Sequence, residues 1–329
     1  MTPDIFQEKI HWFQKKFQEM QTAIAQILIG QEQVLTQTLI AFLANGHVLL
    51  EGLPGLGKTL LSQSLGHVLG ISYKRIQFTP DLMPADILGT NVLWKDAQGI
   101  PGFRYEEGPI FCDLLLADEI NRATPKTQSA LLQAMQEKKV TISGRTHNLS
   151  ENFMVIATQN PIEMEGTYPL PEAQLDRFFF KIQVSLPGLQ ELIQIAHKTT
   201  QESIHLPEQK FQKEEIGEMK SLVRQVCIHD ILMESCARLI LGTHSQNPDC
   251  IPLVKKYVQY GASPRGLQSV ILGAKVYALL QGRSYVARED IIFVLTPALR
   301  HRILLNFQGE ADGVSSLDIL KNLQGSLKG

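Results

Sequence analysis

The sequence predicts an α/β protein with a parallel sheet and helices on both of its faces, followed by a smaller all-helical domain. Two observations predict this fold class. Short apolar segments alternate with helical patterns up to about residue 187, which is typical of a parallel sheet covered by helices. From Pro187–Gly188 onward the pattern is helical, without convincing strands. We therefore expect two domains, residues 1–187 and 188–329.

The individual elements follow from apolar runs and from helical spacing. Residues 1 to about 45 have apolar positions at helical spacing. The expected strands are 47–52, 73–78, 112–118, 153–159 and 178–184. The expected C-terminal helices are 189–200, 211–227, 230–243, 264–282 and 288–296. Two further segments, about 91–107 and 138–149, contain turn residues (DAQG in the first, Gly144 in the second) and predict hairpins that protrude from the sheet.

Composition excludes several classes of protein. The 329 residues are 44% hydrophobic and 19% charged, as in an ordinary globular protein. Because 31 Lys and Arg nearly balance 33 Asp and Glu, a dedicated nucleic-acid binder is not expected. The four cysteines are scattered without a CxxC pair, which argues against a zinc site or disulfide framework. With neither a signal-peptide pattern nor a transmembrane segment, we expect a cytoplasmic protein.

The segment GLPGLGKT, residues 52–59, matches the phosphate-binding pattern GxxxxGK[ST] and lies between an apolar strand and an apolar helix. Glycines let such a loop turn its N–H groups toward an anion at the helix N-terminus. Lys58 is expected to contact the β- and γ-phosphates of ATP, and the Thr59 hydroxyl to bind Mg²⁺. The predicted nucleotide-binding residues of this segment are Gly52, Pro54, Gly55, Leu56, Gly57, Lys58, Thr59 and Leu60.

The apolar strand LLLAD ends in two acids, Asp118 and Glu119. In a protein with a phosphate loop, the acid that ends a second strand holds Mg²⁺, and we assign this role to Asp118, acting through water. A neighbouring acid is suited to activate the attacking water. We assign Glu119 as this general base, so the pair predicts hydrolysis rather than a slow switch.

Three further polar residues are candidates, each with an alternative interpretation. Asn160 ends the strand FMVIATQ and could polarise the water, although an Asn before Pro161 is often a turn former. Arg177 could reach a neighbouring subunit's γ-phosphate as a finger, or pair with Asp176 on the surface. Arg265 follows Ser263 and Pro264 at a helix start, where a positive charge opposes the helix dipole; it either faces an anion or is solvated.

With these elements in order, the chain resembles the AAA+ ATPases, and within them the MoxR family of the helix-2-insert branch. Long segments carry the resemblance over nearly the whole chain: DLMPADILG (81–89), EGPIFCDLLLADEINRATPKTQSALLQAMQE (107–137), VIATQNPIEMEGTYPLPEAQLDRF (155–178), SPRG (263–266) and LRHRI (299–303).

The resemblance implies a sheet in the strand order 5-1-4-3-2, a helical lid domain and assembly into a ring, usually a hexamer. It implies that Asn160 is the sensor-1 residue, Arg177 the arginine finger, and Arg265 the sensor-2 residue that binds nucleotide. The implied function is Mg²⁺-dependent ATP hydrolysis for chaperone-like remodelling of protein partners, often partners that contain von Willebrand factor A domains. In related machines both hairpins face the central pore.

Two other functions stay open at this point. A DNA motor is one, because relatives with the same hairpins act on nucleic acid and the second hairpin carries Lys138, Lys139, Arg145 and His147. A nucleotide-gated binding module with little turnover is the other, although the intact Glu119 argues against it.

Overall fold

The fold is a five-stranded parallel sheet with a helical lid, described here from a computed structural model that covers residues 3–95, 100–161, 166–201 and 206–326. The strands are β1 (Val48–Glu51), β2 (Tyr73–Gln77), β3 (Gly89–Lys95), β4 (Pro101–Glu107), β5 (Leu114–Asp118), β6 (Lys139–Ile142), β7 (Arg145–Asn148), β8 (Met154–Gln159), β9 (Phe180–Gln183), β10 (Val258–Tyr260) and β11 (Leu304–Leu305).

The helices cover both faces of the sheet and form the C-terminal lid. They are α1 (Pro3–Ala25), α2 (Glu32–Leu43), α3 (Lys58–Val68), α4 (Pro84–Leu88), α5 (Pro125–Glu137), α6 (Glu172–Leu175), α7 (Leu189–Gln201), α8 (Lys213–Gln225), α9 (Asp230–Gly242), α10 (Pro252–Tyr257), α11 (Pro264–Leu280), α12 (Arg288–Leu299), α13 (Phe307–Ala311) and α14 (Ser316–Ser326), with one 3-10 turn at Ile120–Arg122.

The central sheet has the order β2-β5-β8-β1-β9, with all neighbours parallel. This is the order 5-1-4-3-2 of the five predicted strands, so the predicted fold class is confirmed. Each strand is shorter than predicted by one to three residues, because the flanking residues, such as Phe178 and Phe179, are buried without joining the ladder.

Burial on both faces explains why the inner strands β1, β5 and β8 are mostly apolar. Neighbouring residues of a strand point to opposite sides. Leu114 and Leu116 therefore join the hydrophobic cluster on one face, whereas Leu115 and Ala117 join the cluster on the other. All five residues of β5 are buried. A strand of this kind can expose polar side chains only where it ends.

The two segments predicted to be hairpins form antiparallel pairs, β3 with β4 and β6 with β7. The DAQG turn, residues 96–99, lies outside the described residues. The hairpins contact each other: Asn91 Nδ2 donates to Ser143 Oγ at 2.8 Å, and the Tyr105 and His147 rings lie 4.4 Å apart. They therefore form one polar and aromatic unit beside the sheet.

The lid contains the five predicted helices, three helices that were not predicted (α10, α13 and α14) and a strand pair that was not predicted. The short strands β10 and β11 pair antiparallel, with Val258 opposite Leu305. Such short strands, far apart in sequence, have no periodic pattern of their own. The domain boundary near residue 187 stays a prediction.

Helix α1 joins the sheet domain to the lid. Its apolar face is buried at Ile10, Phe13 and Phe17. On its polar face, Lys16 pairs with Glu215 of α8 at 2.7 Å. The N-terminal helix therefore packs as part of the core. In the described part of the chain, no helix has the length and apolar character that crossing a bilayer requires.

His47 fixes the start of β1. Its Nδ1 accepts the Val155 N–H at 2.9 Å, so the ring proton is on Nε2, which donates to Met135 O at 3.2 Å. Burial lowers the His47 pKa from 6.5 to about 4, since an added proton would be desolvated and would break the bond from Val155.

We predict that this histidine makes the fold acid-sensitive. Because the folded pKa lies below the unfolded value, the unfolded chain binds the proton first, and the free energy of unfolding falls as pH drops from about 6.5 to 4. The loss from His47 is up to about 3 kcal/mol. Denaturant titrations of His47→Asn should show a shallower decline over this interval. The exposed His11→Asn serves as the control, and equal slopes in both variants would contradict the assignment.

Candidate active site

The phosphate loop connects β1 to α3 in the conformation that an anion site needs. Gly55 and Gly57 have φ angles of 81° and 79°, in the left-handed region that glycine adopts freely. Gly57 is the N-cap residue of α3, and Lys58 begins the helix. Gly52 is required for packing, because a Cβ there would lie 2.6 Å from Val184 O. The loop therefore presents backbone N–H groups at a helix N-terminus.

Most predicted site residues line one cavity of about 300 Å³ at the carboxyl ends of β1, β5 and β8. Its lining residues are Pro54, Gly55, Gly57, Lys58, Thr59, Leu60, Asp118, Glu119 and Asn160. Lys58 Nζ donates to Gly52 O at 2.6 Å, which folds the amine over the loop. The sheet thus brings together the phosphate loop, the acid pair and the side-chain amide of Asn160.

Asp118 is held by partners on both carboxylate oxygens. The hydroxyl of Thr158 donates to Oδ1 at 2.6 Å. Arg75 donates to Oδ2 from Nε at 3.2 Å and from Nη2 at 2.7 Å. Thr158 is fully buried, and its Oγ1 also accepts the Glu119 N–H at 2.8 Å. One hydroxyl on β8 therefore fixes the peptide that joins the two acids.

Glu119 has an unusual backbone conformation, with φ 56° and ψ 50°. A residue other than glycine in this left-handed region costs on the order of 1 kcal/mol or more. Its side chain accepts bonds from Gln77 Nε2 at 2.7 Å and Arg122 Nη1 at 2.9 Å, both at Oε2. Glu119, at this strained turn, lines the cavity at the end of β5.

The donor set fits magnesium. Mg²⁺ prefers oxygen ligands and retains several waters. The Thr59 hydroxyl and the Asp118 carboxylate supply protein oxygens in the same cavity. The phosphate that the adjacent loop would bind could supply further oxygen ligands.

A second cavity of about 360 Å³ adjoins the first and shares Pro54, Gly55, Gly57 and Leu60 with it. The sequence reasoning missed it, because three distant segments contribute. Its lining residues are Ile27, Leu28, Ile29, Gln31, Pro54, Gly55, Leu56, Gly57, Leu60, Leu186, Pro187, Leu192, Ile195, Lys198 and Thr199. An apolar cavity beside a phosphate loop suits a nucleotide base. In the sequence, the apolar segment ILIG (27–30) was the feature that could have indicated this cavity.

Arg177 and Arg265 lie in neither of these cavities. Both line a third cavity of about 400 Å³, next to His47 at the amino end of β1. Asp176 accepts bonds from Arg302 at 2.8 Å and Arg265 at 3.5 Å. Within the described residues, the buried Arg177 Nε has no hydrogen-bond partner. The alternative interpretation, in which Arg177 pairs with Asp176, is not found, because Asp176 pairs with Arg265 and Arg302 instead.

Strand polarity separates these arginines from the phosphate loop. In a parallel sheet all carboxyl ends share one edge and all amino ends the other. The phosphate loop follows β1, whereas Arg177 precedes β9, the parallel neighbour of β1. The five residue steps from His47 to Gly52 span roughly 16 Å in an extended strand, further than an arginine side chain reaches. The structure thus does not bring Arg265 or Arg177 to the nucleotide site of the same chain.

Arg302 holds Arg177 in place, a role the sequence did not predict. This arginine is buried and donates to Asp176 Oδ1 at 2.8 Å and to Phe178 O at 2.7 Å. Ser263, the N-cap of α11, donates to the same Asp176 carboxylate at 2.9 Å. The lid therefore fixes the segment that carries Arg177.

Comparison with known proteins identifies the chain. The profile of the ATPase family associated with various cellular activities (AAA) matches residues 47–180, and that of the AAA lid domain matches 252–323. The chain is 42% identical to chaperone MoxR1 of Mycobacterium tuberculosis over 294 residues, covering 89% of this chain and 76% of MoxR1.

Two further relatives agree with this match. Protein MoxR of Methylorubrum extorquens is 32% identical, covering 86% of this chain and 85% of that protein. A crystal structure of a Cytophaga hutchinsonii protein assigned as an ATPase superposes with a TM-score of 0.90 at 36% identity, covering 97% of this chain and 96% of the other. The chain belongs to the MoxR family of AAA+ ATPases.

Proposed function

We propose that this protein hydrolyses ATP with Mg²⁺ in a site completed by a second copy of the chain. The observation that carries the proposal is the single cavity in which the phosphate loop, Asp118, Glu119 and Asn160 meet. Phosphate binding alone does not need an acid pair, whereas hydrolysis needs a base beside the γ-phosphate.

The phosphate loop and the polar side chains of the cavity each have a definite task in this proposal. The loop N–H groups and Lys58 bind the phosphates, and the adjoining apolar cavity takes the base. Thr59 and, through water, Asp118 would hold Mg²⁺, which neutralises charge on the phosphates when bound. Glu119 accepts the proton of the attacking water, and Asn160 orients that water. ATP and ADP are therefore the proposed ligands.

The position of Arg177 and Arg265 at the amino end of the strands supports a site shared between two copies of the chain. Arg177 and Arg265 line a cavity with Lys138, Arg224 and Arg302, against a single acid, Asp176. This excess of positive charge suits an anion that another molecule brings. We propose that the anion is the nucleotide of a neighbouring copy, with Arg177 as its finger and Arg265 beside it. A head-to-tail contact of this kind can close into a ring, and the family resemblance favours a ring of six subunits.

We further propose that the cycle remodels protein partners in the cytoplasm. The relative MoxR1 is described as a chaperone, and the resemblance suggests clients with von Willebrand factor A domains. Hairpin β3–β4 follows β2 through α4, and hairpin β6–β7 follows α5, which comes after the two acids in the chain. Movement at the site can therefore reach an exposed surface that carries Leu93 and Phe103.

Replacing Glu119 with Gln tests hydrolysis. We expect ATP turnover to fall by roughly 100-fold or more, because the general base is lost. Binding of a fluorescent ATP analogue should persist, because the phosphate loop is unchanged. Glu137→Gln, an exposed change at the end of α5, is the control. Wild-type turnover in Glu119→Gln would exclude the base assignment, and a wild-type chain that binds ATP without hydrolysing it would favour a nucleotide-gated binding module.

Thr158 is the second test, because it positions both acids. Thr158→Val removes the hydroxyl at nearly constant volume and leaves Asp118 Oδ1 and the Glu119 N–H with one partner fewer. We expect the free energy of unfolding to fall by about 1–3 kcal/mol and turnover to fall by about tenfold or more. Thr158→Ser keeps the hydroxyl and should retain both properties. Full turnover in Thr158→Val, measured beside its denaturation curve, would show that the hydroxyl does not position the acids.

A further inference from the structure

We propose that Arg75 is the counter-ion of Asp118 in the nucleotide-free chain and competes with Mg²⁺ for that carboxylate. Arg75 would then set the Mg²⁺ concentration at which the site binds nucleotide. The inference rests on the proposed function, because it concerns the same metal site. It assigns a regulatory task to a residue of β2 that lies outside the phosphate loop and outside the acid pair.

The hydrogen bonds of Asp118 leave little room for Arg75 and a magnesium-bound water on the same carboxylate. A carboxylate oxygen has about two lone-pair directions. Both N–H groups of Arg75 that reach Asp118 converge on Oδ2, at 3.2 Å from Nε and 2.7 Å from Nη2. Thr158 occupies one direction of Oδ1. A magnesium-bound water that needs Oδ2 therefore has to displace the guanidinium.

The charges around Asp118 also support competition between Arg75 and Mg²⁺. Asp118 and Glu119 are two adjacent carboxylates, and each is paired with an arginine: Arg75 at 2.7 Å and Arg122 at 2.9 Å. These four charges sum to zero. A divalent cation that approaches the cavity is attracted by Asp118 but repelled by the guanidinium on it. The pair with Arg75 thus weakens the field that Mg²⁺ experiences.

Arg75 is the partner that can move. Its side chain is 47% exposed, whereas that of Asp118 is 12% exposed. Asp118 is retained by the buried Thr158 and by the β5 backbone. Gln77 Oε1 already accepts Arg75 Nη2 at 2.9 Å, so the guanidinium keeps one partner when it leaves the carboxylate. Withdrawal of Arg75 toward solvent exposes Asp118 to the metal without rebuilding the strand.

The opposite role for Arg75 makes a distinct prediction. If Arg75 holds Asp118 in position for the metal, removing it raises the Mg²⁺ concentration that nucleotide binding requires. If Arg75 competes with the metal, removing it lowers that concentration. A binding titration therefore separates the two roles without measuring hydrolysis.

The experiment follows fluorescent ADP bound by the full chain while Mg²⁺ is raised from an EDTA-containing start. For Arg75→Gln we expect the half-saturating Mg²⁺ concentration to fall about fivefold, as for a partly exposed ion pair. Arg75→Lys keeps the charge but loses the two-point contact, so its shift should be smaller and in the same direction. Arg122→Gln removes the counter-ion of Glu119 instead, and Arg104→Gln changes an exposed arginine of β4; both should shift less than Arg75→Gln. Thermal melting verifies that each variant is folded.

The outcomes separate this inference from the proposed function. An unchanged or raised half-saturating concentration in Arg75→Gln contradicts competition while the wild type still responds to Mg²⁺. An equal shift in Arg122→Gln also contradicts it, because the effect would then come from general charge and not from the Asp118 contact. If Arg75→Gln does not fold, an unshifted Arg75→Lys overturns the inference. A wild-type chain that binds labelled ADP equally with Mg²⁺ and with EDTA contradicts the inference and the magnesium requirement together.

Discussion

The common direction of five parallel strands determines which polar groups of the candidate site lie together. The inner strands β1, β5 and β8 are buried on both faces and expose polar side chains only at their ends, whereas the edge strand β2 also exposes Arg75 in its middle. The carboxyl ends gather the phosphate loop, Asp118, Glu119 and Asn160 in one cavity, while the amino ends carry His47 and, just before β9, Arg177. One sheet thus has two chemically different edges. The proposal of a site shared between two copies follows from that separation more than from any single residue.

Buried hydrogen bonds maintain each edge. At the carboxyl edge, the Thr158 hydroxyl joins Asp118 to the Glu119 backbone, and this bond supports a strained backbone at Glu119. At the amino edge, Arg302 and Ser263 of the lid hold Asp176, and therefore Arg177, in place. A buried polar group without its partner is costly. Each edge therefore has a defined geometry, and the lid takes part in setting one of them.

Sequence reasoning predicts the parts of the site that lie close together along the chain. The phosphate loop and the Asp118–Glu119 pair are local patterns, and Asn160 follows a strand whose end can be placed from its apolar run. Thr158 and Arg75 were not assigned these contacts, because each depends on which strands are neighbours: β5 lies between β2 and β8. The base cavity and the Arg302 contacts were missed for a similar reason, since they join segments separated by more than 100 residues. The sequence did not decide the ion-pair partner of Asp176, and in the structure Asp176 pairs with Arg265 and Arg302.

Complementation between two inactive chains tests the shared site most directly. Glu119→Gln keeps the arginine edge and loses the base, whereas Arg177→Ala keeps the base and loses the finger. Each variant alone should be nearly inactive in steady-state ATP turnover. An equimolar mixture should regain activity, up to about a quarter of wild type, because one in four random head-to-tail contacts pairs an intact base with an intact finger. A mixture that forms mixed assemblies and stays as inactive as its components would contradict a site completed by the neighbouring copy.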